Sequence, residues 1–172
     1  VLVGWSFGAM VAFQIASDLQ HAGRTVPKLV LIDPPAIGHH ASEGLPLETV
    51  VAHELASLGA SRSPDQEPGF RDSMALACQL NARAMVAFSP NLSLPDCDAH
   101  LFVAKEGEAP PPPFTSRAQW LRQSWQACFG RCLTVHPLSA DHYSIMTASC
   151  ADQITRTLNG VALHKQMDET LL

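Results

Sequence analysis

Val1-Leu2-Val3-Gly4-Trp5-Ser6-Phe7-Gly8-Ala9 opens the chain, and Val11, Phe13, Ile15, Ala16 and Leu19 follow it. The first three residues are a short, β-branched apolar run, the mark of a buried strand end. Gly4 to Gly8 reads as a sharp turn, in which Gly4 and Gly8 are expected to remove side chains that would clash. Ala9 to Gln20 reads as a mostly buried helix, stopped by Gly23. Pro27 and Lys28 then lead into Leu29-Val30-Leu31-Ile32, a fully apolar strand that ends at Asp33, where Pro34-Pro35 prevents continuation. Strand, turn, helix, loop and strand in this order make a parallel β-α-β unit, with helices crossing the faces of a sheet.

Downstream, residues 36–98 carry no strand pattern. Two amphipathic helical stretches, about Leu47 to Leu58 and about Phe70 to Phe88, flank the polar turn Ser61-Arg62-Ser63-Pro64-Asp65. The segment from about 40 to 95 is expected to be a helical lid over the strand ends. Met74, Met85 and Phe88 read first as helix-packing residues, and second as the lining of an acyl channel. His100 to Ala104 is a third strand and Pro110 to Pro113 a stiff surface spacer. Phe114 to Phe129 is a helix anchored by Trp120 and Trp125, Leu133 to Leu138 the last strand, and Ser144 to Leu158 the closing helix. No internal repeat is present.

The 172 residues are 47% hydrophobic and 16% charged, enough apolar material for one domain's core and too apolar for a disordered chain. Net charge is −5, with 11 basic against 16 acidic residues, so nothing favours a nucleic-acid backbone as partner. No apolar run approaches the roughly 20 residues of a membrane span. Five cysteines, an odd number scattered through an apolar sequence, fit reduced thiols in the cytoplasm better than a disulfide framework. Cys128, Cys132 and His136 repeat at steps of four, but Gly130 breaks the first pair, His136 falls in a strand, and a fourth ligand at familiar spacing is missing; no metal is expected. The chain opens at Val1, inside an apolar run, which reads as a fragment of a longer chain with any targeting signal upstream.

Chemistry centres on Gly4-Trp5-Ser6-Phe7-Gly8. A G-x-S-x-G pattern between an apolar strand and an apolar helix holds a serine clear of the sheet on a strained turn. The helix that follows aims its positive end at the site, and the Phe7 backbone N–H is placed to stabilise an oxyanion. A serine hydroxyl needs a base, and the base an orienting acid, in the chain order Ser, Asp or Glu, His on this kind of sheet. Of eight histidines, His21 ends a helix, His39 and His40 follow the acid too closely, His53 lies in the lid, His100 and His136 lie in strands, and His164 lies in the polar tail. Only His142 stands in a loop directly after a strand and before the last helix. The acid candidates are Asp33, fixed at a strand end by Pro34, and Glu106 and Glu108, flanking Gly107; Asp33 is favoured.

Gly4-Trp5-Ser6-Phe7-Gly8-Ala9, Leu29-Val30-Leu31-Ile32-Asp33 and Ser139-Ala140-Asp141-His142-Tyr143-Ser144-Ile145-Met146 together resemble the thioesterase domains that terminate polyketide synthases, fatty acid synthases and nonribosomal peptide synthetases. The resemblance covers most of the chain, lid included. An acid 27 positions past the serine resembles that family's habit of placing it one strand earlier than most hydrolases do. Ala140 and Ala9 stand where the family often has glycine, and neither touches a reacting group. The resemblance implies an α/β-hydrolase fold, a mostly parallel sheet flanked by helices with a helical lid, whose early strands and second oxyanion donor precede Val1. It implies Ser6 as nucleophile, His142 as general base and acid, and Asp33 as its orienting partner. No cofactor would be bound directly. The acyl chain would arrive on the phosphopantetheine of an acyl or peptidyl carrier protein, upstream in the same polypeptide, and leave by hydrolysis or macrocyclisation.

Two other readings compete. One is a general carboxylesterase or lipase of the same fold. The other is an inactive truncated fragment: an unpaired sheet edge would leave the isolated 172 residues poorly soluble or weakly active while the complete domain works.

Overall fold

The computed structural model describes residues 1–38, 69–90, 93–107 and 109–169. Four strands alternate with helices in the order β1 (Leu2–Trp5), α1 (Phe7–His21), β2 (Lys28–Ile32), α2 (Phe70–Ala87), β3 (Asp98–Ala104), α3 (Arg117–Phe129), β4 (Leu133–Leu138) and α4 (Ala148–Glu169). The strands form one sheet in the order β1-β2-β3-β4, and each pairing is parallel. All strand C-termini therefore lie along one edge, where Trp5 pairs with Ile32 and Ala104 with Leu138.

Strict alternation along the strands divides the core in two. Leu29, Leu31, Ala99, Leu101 and Val103 face α1 and α3, while Val30, Ile32, Phe102 and Ala104 face Ile145 and Ile154 on the opposite side. Leu29, Leu31 and Leu101 are 0% exposed, and each contributes about 1.5–3 kcal/mol by leaving water. Phe13 of α1 meets the rings of Phe129 and Trp125 edge-on at centroid distances of 5.5 and 5.7 Å. The Trp125 Nε1–H donates to the Pro35 carbonyl at 3.0 Å, tying α3 to the loop after β2.

Helix ends differ from the sequence reading in ways that capping explains. α1 begins at Phe7 rather than Ala9, because Ser6 alone absorbs the reversal from strand to helix. It ends at His21, one residue past the expected Gln20, and the expected stop follows at Gly23, φ +70°, where the Gly23 and Arg24 N–H groups bond the Gln20 and Leu19 carbonyls. α3 begins at Arg117 rather than Phe114: the Ser116 hydroxyl accepts from the Gln119 N–H at 3.2 Å, while the Gln119 side chain bonds Thr115. The closing helix is split, with a short 3-10 turn at Ser144–Met146 before α4. The expected lid is helical over Phe70–Ala87. Its other stretch, Leu47 to Leu58, and the turn at 61–65 lie outside the described residues, as do His39, His40 and His53.

Candidate active site

Ser6 directly follows β1 and has φ 53° and ψ −129°, a conformation that costs a non-glycine residue free energy. The fold holds it there: its N–H bonds the Ile32 carbonyl at 2.9 Å, and α1 starts at the next residue. Gly4 is obligatory, since a Cβ there would sit 2.2 Å from the Gly8 carbonyl oxygen and 2.5 Å from the Ala9 Cα. Gly8 is different. A Cβ at that position meets nothing within 4 Å among the described residues, so the expected steric need for both glycines holds only for Gly4. The turn packs backbone onto backbone at one point, and Gly4 is that point.

Asp33 occupies the equivalent place after β2. It is 1% exposed and has φ 43°, with its N–H bonded to the Phe102 carbonyl at 2.8 Å. Its Oδ1 accepts from the Ala104 N–H at 3.0 Å, and Arg117 Nη1 lies 3.1 Å from Oδ1 and 3.3 Å from Oδ2. Oδ2 faces His142, whose Nδ1 is 2.6 Å away. Of the other acid candidates, Glu106 is exposed and uses its N–H to bond the Ala140 carbonyl, while Glu108 lies outside the described residues.

His142 sits in the loop after β4, a loop ordered by its neighbour. Asp141 Oδ1 accepts from the Tyr143 and Ser144 N–H groups, each at 2.9 Å, and the Ser144 hydroxyl accepts from the Asp141 N–H. These N–H donors, with the nearby His142, hold the Asp141 carboxyl below its ordinary value. The His142 ring stacks on Trp5 at a centroid distance of 5.1 Å and 28° between planes, and Tyr143 meets it edge-on at 5.2 Å. Trp5 also donates its Nε1–H to the His142 carbonyl at 3.1 Å. One side chain adjoining Ser6 in sequence thus forms the platform for a histidine 137 residues away.

A cleft of about 360 Å³ opens beside these groups. Ser6, Phe7 and His142 line it together, and α2 supplies Met74, Asn81 and Met85 opposite them. Among the described residues no hydrogen bond joins the Ser6 hydroxyl to His142; they share a wall. Phe7 is the first residue of α1, where backbone N–H groups have no helical partner. The three residues read as one apolar set divide: Met74 lines the cleft, Met85 both lines it and packs on the core, and Phe88 meets Phe13 edge-on and Trp125 at a tilt.

The remaining histidines and cysteines go elsewhere. His100 is 0% exposed, its Nδ1 is 3.0 Å from His136 Nε2, and its Nε2 is 3.4 Å from Asp98. Cys132 donates to the Pro95 carbonyl, and burial pushes the Cys128 thiol up to about 11, so it is a neutral small hydrophobe at pH 7. None of the five cysteines forms a disulfide. Among the described residues, no three His, Cys, Asp or Glu side chains gather as metal ligands, and no helix is long and apolar enough to cross a membrane. Sequence reasoning missed Arg117 and the platform role of Trp5. Nothing local marks either, since their contacts span 84 and 137 residues.

The arrangement has relatives. Residues 1–161 match the family model described as Thioesterase domain. A stretch of 40 residues, 23% of this chain, is 55% identical to an orsellinic acid synthase of Beauveria bassiana (strain ARSEF 2860), and spans 2% of that protein's length. Among solved structures, the four-domain nonribosomal peptide synthetase AB3403 superposes on 92% of this chain with a TM-score of 0.69 and 21% identity, over 14% of its own length. The thioesterase domain SrfTE, which cyclises the lipopeptide antibiotic surfactin, superposes on 92% with a TM-score of 0.67 and 16% identity, over 66% of its length. Human thioesterase 2 gives 91%, 0.63 and 16%, over 69%. At these identities the structural likeness speaks for the α/β-hydrolase fold, while the match over 161 residues speaks for descent: the chain belongs to the thioesterase domain family.

Proposed function

We propose that this domain releases an acyl chain from the phosphopantetheine thioester of an acyl or peptidyl carrier protein, through a covalent intermediate on Ser6. His142 removes the hydroxyl proton as Ser6 Oγ attacks the thioester carbonyl. The Phe7 N–H, at the positive end of α1, donates to the resulting oxyanion. Collapse breaks the C–S bond, and His142 returns the proton to the departing thiolate. Water, or a hydroxyl or amine of the acyl chain itself, then gives a proton to His142 and attacks the acyl-serine; the acyl C–O bond to Ser6 breaks as His142 returns the proton to Oγ, the first route yielding a free acid and the second a macrocycle. Asp33 holds the imidazole and offsets the positive charge that it acquires.

The observation that carries this reading is the 2.6 Å contact between His142 Nδ1 and the buried Asp33 carboxyl, on a histidine that shares the cleft wall with Ser6. The G-x-S-x-G turn, the strained Ser6 and family membership support it. Residues 1–172 lie within one such domain, with α2 as part of its lid; the domain works in the cytoplasm, binds no metal or cofactor of its own, and meets its carrier as a neighbouring domain.

Short acyl thioesters of N-acetylcysteamine and matched oxygen esters test it directly. The thioesters should turn over at least ~10-fold faster, and Ser6→Ala should abolish both activities. Equal rates on the oxygen esters would favour a carboxylesterase, and turnover by Ser6→Ala would remove Ser6 from the mechanism.

A further inference from the structure

Asp33 is buried, and its charge has to be balanced inside the fold. A carboxylate removed from water is costly unless hydrogen bonds and opposite charge surround it. Its partners are an amide, Ala104 N–H; an imidazole, His142; and a guanidinium, Arg117. Only the guanidinium is positive throughout the catalytic cycle.

The contacts are unevenly shared. Oδ1 takes the Ala104 N–H and the shorter Arg117 contact, at 3.0 and 3.1 Å. Oδ2 is left to His142 at 2.6 Å, with Arg117 at 3.3 Å. The guanidinium is not held in place by a wider network: among the described residues its buried Nε has no hydrogen-bond partner, and Nη1 bonds Asp33 alone. Arg117 is also the first residue of α3, fixed by the Ser116 cap, so it approaches from a rigid element.

Resting on the reading of Ser6 as nucleophile, we propose that Arg117 is a positioning residue for acyl transfer. It balances the charge of the buried Asp33 carboxylate and fixes the rotamer that turns Oδ2 toward His142. A carboxylate is only an acceptor, so Nδ1 must carry the proton and Nε2 is left as the base. Arg117 touches no reacting atom; it acts through Asp33.

The test is the rate at which a fluorophosphonate labels Ser6, measured against probe concentration in the protein expressed at its natural length. Arg117→Met should lower the maximal rate by roughly 10-fold or more, with the half-saturating concentration within about twofold of wild type. Arg117→Lys, which keeps the charge, should recover most of the loss. In an Asp33→Asn background, Arg117→Met should cost less than about twofold, because the path through Asp33 is already cut. Should Arg117→Met fold poorly, the Asp33→Asn/Arg117→Met double variant should fold and melt higher than it, since asparagine needs no counter-charge. Wild-type labelling by Arg117→Met, equal loss in the Lys and Met variants, an undiminished effect in the Asp33→Asn background, or no recovery of folding by the double variant would each overturn the proposal. Labelling that persists in Ser6→Ala, or is absent in wild type, sinks the Ser6 reading itself and is distinguishable from all of these.

Discussion

Among the described residues, two histidine–carboxylate arrangements lie at this sheet, and they differ in exposure. His142 and Asp33 lie past the strand ends, 2.6 Å apart, with the histidine side chain 32% exposed to a cleft and the carboxylate sealed beneath it. His100 and Asp98 lie within β3, 3.4 Å apart, with the histidine wholly buried and the carboxylate nearer solvent. Similar groups, inverted in exposure, give one imidazole open to a cleft and one sealed in the sheet. His100 contacts the half-buried His136 on β4, whose ring stacks on Phe102 at 4.7 Å, and Asp98 reaches Lys28 at 3.7 Å. What separates a catalytic candidate from a structural one is therefore its position relative to the strand end, not the residue types.

The comparison is broken most sharply by exchanging which histidine is removed. His142→Ala should lower thioester turnover by roughly 10⁵-fold, and Asp33→Asn by roughly 10⁴-fold, both read as kcat on the N-acetylcysteamine substrate. His100→Leu should leave the turnover of folded protein within about twofold, yet cost about 1–3 kcal/mol in urea unfolding, because it strips a partner from His136 and Asp98. A large kcat loss in His100→Leu with stability intact would erase the distinction between the two sites.

A smaller effect is expected at Trp5. Trp5→Leu removes both the ring beneath His142 and the bond to its carbonyl, and should lower kcat by up to roughly 10-fold, the scale of a cation stacked on an aromatic face. Trp5→Phe keeps the ring and should lose less. Identical losses in the two variants would assign the effect to the Nε1–H bond instead.

The smallest effect concerns pH. Burial, and then the neighbouring His100, hold the His136 ring below its ordinary value of 6.5. Its folded state thus resists protonation more than the unfolded chain does. The stability it allows is complete above pH 6.5 and is lost as pH falls through the lower folded value. The groups around it are His100, Phe102, and beyond His100, Asp98 and Lys28. The melting temperature should fall from neutral to mildly acidic pH, and His136→Phe should flatten that fall. An unchanged slope in the variant would place the acid sensitivity elsewhere.

Much of the fold could be read from pattern because burial on two faces writes itself into β-branched, apolar runs. Leu133–Leu138 matches its expected bounds, and Lys28–Ile32 begins one residue earlier than its apolar run. Helix starts were less legible. Ser6 at φ 53° compresses a whole turn into one residue, and the Ser116–Gln119 cap delays α3 to Arg117, both matters of backbone geometry rather than periodicity. At the site, Ser6, Asp33 and His142 could be named because each ends a strand or occupies the loop after one, where chemistry collects in parallel sheets. Arg117 and the Trp5 platform could not, since each depends on a side chain crossing from one element to another far along the chain.

The most direct test is the structure of the domain after reaction with a fluorophosphonate ester. Phosphorus should be bonded to Ser6 Oγ, with the phosphonyl oxygen about 2.7–3.1 Å from the Phe7 N–H and His142, still bonded to Asp33, within hydrogen-bond reach of Oγ. A phosphonate on any other residue, or one on Ser6 with His142 parted from Asp33 and turned out of the cleft, would contradict the account.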